Sequence, residues 1–537
     1  MNVTIKPGRV CGAVEVITSK SFAHRALLCA ALASLNGGET ALKDVNDSDD
    51  VNATVGALAA LGFIFRREGG TVTFQKTDKA SLNQNAVIDC RESGSTLRFI
   101  LPVAAALGVN AEITGTKKLL SRPLDDLIGA LTSHGITVFR NGERINISGK
   151  LTGGVFNIAG NVSSQFVTGL MLAAPLLVGG AEIRIYEGLV SEDYVWLTAN
   201  IMGKFGILFK SNAGSFFKTD GGNAAENKDD DGLFKTDGGN AAENQTGGRS
   251  FFSLAVEAVK ENFNTYRRSL GGKLTVEADW SNAAFPLAAG AVAGDKGGVT
   301  VSNAALSTQG DIRILGILER SGAAVDFHGI GEWYLKLVGS LELSESYLGD
   351  DRENIGAKAI AKRFNESRHR ATVNEVSEGK VAGGGLSNDS GLYPVTAAPK
   401  KLKAFKVDAE NIPDMVPILS VLAANARGKS VITNVNRLCE KESNRLAAIM
   451  ENLTTMGGKI SYDESVPGGA LYIKGGKLKG AVLKSHNDHR MVMSAAVAAL
   501  TANGETTILD AEAVNKSYPG FFDMMKSLGA SITVSGD

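Results

Sequence analysis

Traced by where apolar side chains recur, the chain repeats one pattern six times: an amphipathic helical stretch, a glycine, then a short run rich in β-branched or aromatic residues. The copies are DDVNATVGALAALGFIF with its glycine at Gly62, LDDLIGALTSHGITVF at Gly135, VWLTANIMGKFGILF at Gly206, DIRILGILERSGAAVDF at Gly322, SNRLAAIMENLTTMGGKISY at Gly457 and FFDMMKSLGASITV at Gly529. Each glycine is expected to close its helix in the left-handed conformation and turn the chain directly into a strand. Three of the intervals are close to about 72 residues, the size of a supersecondary unit of several strands and two helices. The intervals from Gly206 to Gly322 and from Gly322 to Gly457 are longer by about 44 and about 63 residues, which predicts one insert in each.

Composition places the inserts. Residues 212–248 contain FKTDGGNAAEN twice, at 217–227 and 234–244, too polar to bury a core and expected to be a surface loop. The second insert is expected at about 343–400, a solvated helix followed by linker. The stretches GALAALG, AALLCAALASL and SSQFVTGLMLAAPLLVGG are apolar nearly all round and are expected to be interior helices. Six units over two domains, three in each, is the simplest partition.

At 537 residues the chain exceeds one core, and its 44% hydrophobic content is that of an ordinary globular protein. No apolar run is long enough to span a membrane, and MNVTIKPGRV has the character of neither a secretory signal nor a transit peptide, so a cytoplasmic protein is expected. Lys plus Arg (56) balance Asp plus Glu (57), so no overall basic field points to nucleic acid or a membrane surface. The four cysteines lack CxxC spacing, so no metal or disulfide framework is expected.

An anionic ligand must then be held by a local cluster of cations. In TSKSFAHRALL, Ser21 and Arg25 lie four apart on one helix face, beside Lys20, and suit a grip on one anionic group, or else belong to a capped surface helix with its Lys and Arg solvated. Gly94, Ser95 and Thr96 open an apolar helix, a natural seat for a phosphate or carboxylate, or else a plain Ser/Thr cap. Arg122 stands at a helix start, where the dipole disfavours a cation unless an anion is near. Ser163, Ser164 and Gln165 offer short polar donors for a sugar-like substrate, or else simply cap a helix, and Ser191 and Tyr194 follow the same logic more weakly. Asp414 reads as a helix cap or an acid, Glu442 and Arg445 as a surface pair or part of a site with Lys441, and Arg490 and Lys516 as further cations at polar helix ends.

Seven segments carry a resemblance: TSKSFAHRALL, ESGSTLRFILP, LLSRPLDDL, NVSSQFVTGLM, ENIPDMVP, EKESNRL, and NDHRM with NKSYPGFF. In this order and repeat phase they resemble the motifs of the enolpyruvylshikimate-phosphate (EPSP) synthase family of enolpyruvyl transferases. The sister enolpyruvyl transferases acting on UDP-N-acetylglucosamine carry a cysteine ahead of their Arg-Pro, and GTKKLLSRPLDD has none. The resemblance implies a two-domain inside-out α/β barrel, each domain of three βαβαββ-like repeats with helices buried and sheets outside. It implies an N-terminal lobe of 19–277 and a C-terminal lobe of 1–18 with 278–537, brought together by closure.

The implied reaction joins the enolpyruvyl group of phosphoenolpyruvate to the 5-hydroxyl of shikimate 3-phosphate, with phosphate released. No cofactor or metal is implied, nor a nucleic-acid or membrane partner, and the protein is expected to be a monomer. Four anionic groups on two substrates call for several cations. By resemblance, Lys20, Ser21, Arg25, Ser163, Ser164, Gln165, Ser191, Tyr194, Asp414 and Lys441 hold shikimate 3-phosphate. Lys20, Gly94, Arg122, Gln165, Arg445, Arg490 and Lys516 hold phosphoenolpyruvate. Asp414 is expected as the base towards the hydroxyl and Glu442 as the acid towards C3, with Lys20 a further participant.

Overall fold

A helix that ends in glycine and runs straight into a strand requires that glycine at positive φ, and all six repeat glycines adopt it, with φ from 76° to 96°. The structure, a computed structural model, describes residues 1–207, 210–211, 252–256, 272–305, 307–327 and 394–536. It is a mixed α/β protein of two compact units. Unit 1 comprises Met1–Ala23, Asp44–Asp49 and Thr275–Asp537, and unit 2 comprises His24–Lys43 and Asp50–Leu274.

Each repeat glycine feeds the end strand of a four-stranded sheet, and the described residues form six such sheets. One example gives the rule. Asn85–Asp89 runs parallel to Asn110–Thr114, which pairs antiparallel with Ile145–Gly149, which pairs antiparallel with Ile136–Arg140. The register aligns Ile88 with Ile113 and Ile113 with Ile145, so one face is apolar and buried. In unit 1, Lys406–Asp408, Lys429–Thr433, Ala470–Lys474 and Lys459–Asp463 repeat this order. The sixth sheet takes Asn2–Ile5 between Thr506–Leu509 and Ile532–Ser535.

Several helices in each unit are buried nearly all round. In unit 2 the helix Gly94–Leu107 is buried almost throughout, as is Ser164–Ala173. Unit 1 buries Trp280–Ala293, Val416–Asn425 and His489–Thr501 in the same way. Their first turns carry the polar residues considered below. Among the described residues no helix is long and apolar enough to cross a membrane.

Two expectations need correction. GALAALG is not interior: in the helix Asp49–Ala60, Gly56 and Ala59 are exposed while Val51, Ala57 and Leu58 are buried. Alanine and glycine are small enough for either side, so an all-apolar stretch of them does not fix burial. The second insert does not extend to residue 400, because Val395–Ala398 pairs with both Ala324–Phe327 and Gly294–Val301. The duplicated segment at 212–248 and the helix expected in the first part of the second insert lie outside the described residues.

The two inner helices of unit 2 meet at Gly169. A Cβ there would collide with the Arg98 carbonyl oxygen and lie 2.9 Å from Pro102 Cγ. Gly169→Ala is expected to destabilise the protein by about 1–3 kcal/mol through overpacking, read as a lowered urea midpoint with unchanged slope.

Candidate active site

The unit 1 site grows from the Ile-Pro-Asp turn. Pro413 fixes the start of a short 3-10 turn that presents Asp414 ahead of a buried helix. Asp414 does not cap that helix. Its Oδ1 accepts from Arg445 Nη1 at 2.6 Å and faces Lys441 Nζ at 3.5 Å, and its Oδ2 accepts from Arg490 Nη2 at 3.4 Å. Burial pushes the Asp414 carboxyl up, but Lys441, Arg490 and Arg445 together hold it well below the usual carboxylate range. Asp414 is therefore ionised at neutral pH.

Glu442 Oε2 lies 2.8 Å from His489 Nδ1, and Oε1 lies 3.7 Å from Arg445 Nη2. Burial again acts upward, and His489, Arg445 and Lys20 overcome it, so Glu442 also sits well below its ordinary value. Burial pushes the His489 imidazole down, with Glu442 opposing, and the pair rests as carboxylate and neutral imidazole at pH 7.

Arg445, 2% exposed, is the hub. Its Nε donates to Asp488 Oδ2 at 2.7 Å and its Nη2 to Asp488 Oδ1 at 3.3 Å, while Nη1 serves Asp414. Asp488 also accepts from the Arg490 amide as the cap of the His489–Thr501 helix, and from Ser443 Oγ. Glu442, Asp488 and His489 bring possible metal-ligating atoms within 4.8 Å of one another. Both Asp488 oxygens are engaged by Arg445, however, and Lys20 acts on Glu442 and His489, so the trio is a charge-pairing network. Burial lowers the Lys441 ammonium to about 8 despite Asp414, with Arg437, Arg445 and Arg490 adding to the effect.

Lys20 and Ser21 open the helix Lys20–Ser34, capped by Ser19 Oγ, which accepts from Phe22 N at 3.2 Å. The Lys20 amide donates to Asp279 Oδ2 at 3.3 Å. Lys516 Nζ donates to the Asn487 carbonyl at 2.9 Å, one residue before Asp488. Unit 1 thus gathers Lys20, Asp414, Lys441, Glu442, Arg445 and Arg490 in one electrostatic cluster.

Unit 2 gathers a second set. Ser93 caps the helix Gly94–Leu107, accepting from Thr96 N. A Cβ on Gly94 would lie 2.7 Å from Arg122 Nη1 and 2.9 Å from Arg98 Nη1, so two guanidinium groups converge over a residue whose missing side chain leaves them room. Arg98 Nη1 donates to Gln165 Oε1 at 2.8 Å, and Gln165 Nε2 donates to Ser95 Oγ at 2.9 Å. Ser163 caps the next inner helix by accepting from the Gln165 amide, and Ser164 is buried behind it. Buried Nε atoms of both Arg98 and Arg122 have no hydrogen-bond partner. Burial lowers Arg98 to about 10, and Arg122 adds to that. Two adjacent cations at a helix start form a seat for an anion.

Arg25 is buried on the same unit. Its Nε donates to Thr198 Oγ1 at 2.7 Å and its Nη2 to the Tyr194 carbonyl at 3.2 Å, and the guanidinium lies 5.1 Å from the centre of the Phe99 ring. Burial lowers it to about 10. Ser191 departs from the capping logic of the other serines: it precedes its helix at φ 53° and makes no cap bond.

The sequence model of one family, described as EPSP synthase (3-phosphoshikimate 1-carboxyvinyltransferase), matches residues 5–231 and 379–525. The chain belongs to the EPSP synthase family. A 3-phosphoshikimate 1-carboxyvinyltransferase of Brachyspira hyodysenteriae is 30% identical, across 99% of this chain and all of the relative. One from Clostridium acetobutylicum is 30% identical across 99% of this chain and 98% of its own length. The EPSP synthase structure from Acinetobacter baumannii superposes with a TM-score of 0.66 at 21% identity, covering both chains fully. The enolpyruvyl transferase NikO from Streptomyces tendae gives 0.63 at 15%, covering 99% of this chain and 98% of that one. As an EPSP synthase family member the chain is an enzyme of the shikimate pathway, transferring the enolpyruvyl group of phosphoenolpyruvate to shikimate 3-phosphate.

Sequence reasoning missed Arg98, Asp488 and His489 as site residues. Arg98 lies four residues after Gly94, on the same helix face, and that spacing was the available signal. It also missed Asp311, 1% exposed, whose carboxylate accepts from Ser281 Oγ and which burial pushes up to about 6 against the pull of Arg490.

Gly94→Ala is expected to displace Arg122 and Arg98 and to raise the phosphoenolpyruvate KM by roughly tenfold or more, since an active-site shift near 1 Å is costly. Steady-state kinetics with each substrate varied in turn checks this. Lys441 is cationic below about pH 8 and neutral above it. Rising pH therefore removes a charge from the anion site, and kcat/KM for shikimate 3-phosphate should fall above about pH 8. Lys441→Arg, which stays charged, should move that fall to higher pH in the same profile.

Proposed function

We propose that the two clusters divide the work of this reaction. In unit 2, Gly94, Arg122 and Gln165, joined by Arg98, receive the phosphate of phosphoenolpyruvate, and Lys20, Arg445, Arg490 and Lys516 of unit 1 serve its remaining charge. Shikimate 3-phosphate engages Lys20, Ser21, Asp414 and Lys441 of unit 1 and Arg25, Ser163, Ser164, Gln165, Ser191 and Tyr194 of unit 2. The observation that carries the reading is a pair of ionised carboxylates, Asp414 and Glu442, set within a field of buried cations.

Asp414 accepts the 5-hydroxyl proton as oxygen attacks C2 of phosphoenolpyruvate. C3 gains a proton and the tetrahedral intermediate forms. Loss of a C3 proton with cleavage of the C2–O bond to phosphate then restores the enol ether. Glu442 must itself be protonated before it can serve C3. Substrate anions pairing with Lys20 and Arg445 weaken the field that depresses it, so Glu442 takes up a proton from solvent as substrate binds, and His489, 2.8 Å away, orients the carboxyl. Both carboxylates also oppose positive charge developing at C2.

Each unit is further read as an inside-out α/β barrel, supported by the four-stranded sheets and by helices that are buried nearly all round. We read the lobes as 19–277 and 1–18 with 278–537, in a cytoplasmic monomer.

Asp414→Asn keeps the shape and removes the base. It is expected to lower kcat by about 10²- to 10⁴-fold with the KM for both substrates changed much less. Phosphate release followed under saturation measures it, and an undiminished kcat would remove Asp414 from the mechanism.

A further inference from the structure

A line of buried hydrogen bonds in unit 2 has no part in the chemistry above. His24 Nδ1 lies 2.7 Å from Thr54 Oγ1, Thr54 Oγ1 lies 2.7 Å from Thr96 Oγ1, and Thr96 Oγ1 donates to Ser93 Oγ at 2.8 Å. Ser93 Oγ in turn accepts from Thr96 N at 3.2 Å as the cap of the helix that begins at Gly94. All four residues are at most 2% exposed. The line crosses three helices, Lys20–Ser34, Asp49–Ala60 and Gly94–Leu107.

Counting protons gives it a direction. Thr96 has one hydroxyl proton, and it goes to Ser93 Oγ or, at 3.4 Å, to the Asp50 carbonyl; neither leaves it for Thr54. Thr54 must then donate to Thr96, so Thr54 can only accept from His24. The imidazole therefore carries its proton on Nδ1. Every hydroxyl is fixed by the one before it, and the last sets the first turn of the helix that bears Gly94, Ser95 and Arg98.

We propose that His24, acting through Thr54 and Thr96, is a positioning residue for the phosphoenolpyruvate seat at Gly94. The inference rests on the assignment of that seat made above. Arg25, next to His24 in sequence, faces Thr198 and Tyr194. Loss of the line should therefore move phosphoenolpyruvate binding and leave shikimate 3-phosphate binding in place.

The test measures phosphate release with each substrate varied, for Thr54→Val, Thr54→Ser, His24→Leu, His24→Asn and Arg122→Ala. Thr54→Val keeps the volume and strands two buried partners, so the phosphoenolpyruvate KM should rise roughly five- to tenfold while the shikimate 3-phosphate KM stays within about twofold. Thr54→Ser restores the hydroxyl and the KM. His24→Leu should reproduce Thr54→Val, and His24→Asn, whose amide nitrogen can replace Nδ1, should largely rescue it; this pair decides the matter if Thr54→Val does not fold. A parallel rise in both KM values, no rise, or no rescue by Ser and Asn would each overturn the positioning role. If Arg122→Ala raises the phosphoenolpyruvate KM and the line variants do not, the line alone fails. If Arg122→Ala leaves that KM unmoved, the seat is wrongly assigned and the inference falls with it.

Discussion

Arg445 beneath Asp414, Glu442 and Asp488 is the interaction on which the unit 1 site depends. A guanidinium at 2% exposure is tolerable only because carboxylates surround it, and Asp488 binds it through two nitrogens. The pairing works in both directions. It keeps Arg445 charged, and it keeps Asp414 ionised against the upward push of burial. Because Asp488 also caps the His489–Thr501 helix, the same carboxylate fixes where His489 and Arg490 start. Charge balance and helix geometry are one constraint here.

Unit 2 solves a different problem. Arg98 and Arg122 approach the same point above Gly94, and Arg98 is joined there by the Gln165 amide. Like charges held close in a partly buried place raise the free energy of the protein alone, and a bound dianion relieves it. Pre-set donors of this kind spend little on reorganisation when the ligand arrives.

Much of this was legible in the sequence because it rests on strict local chemistry. A left-handed helix stop tolerates little besides glycine, so Gly62, Gly135, Gly206, Gly322, Gly457 and Gly529 marked every repeat. Asp414, Lys441, Glu442, Arg445 and Arg490 could be named because short motifs carried them, and they do gather. What was illegible depends on three-dimensional partners. Whether Ala59 faces water, whether Val395–Ala398 is strand or linker, and that Asp488 holds Arg445 are all settled by neighbours far along the chain. Arg98 hid for a related reason: in a helix apolar beyond its first turn, nothing in the sequence shows Arg122 or Gln165 coming to meet it.

Both long intervals open at the same point of the repeat. One lies between Lys210–Ser211 and its antiparallel neighbour Phe252–Val256, the other between Ala324–Phe327 and Val395–Ala398. In the compact copies this link is a short hairpin, as from Glu68 to Thr71 or from Arg140 to Ile145. With extra chain at that link the two strands still pair antiparallel, and loop-closure entropy grows only slowly with length. The repeat therefore has one seam at which it can accept foreign sequence while the polar helix starts stay where they are.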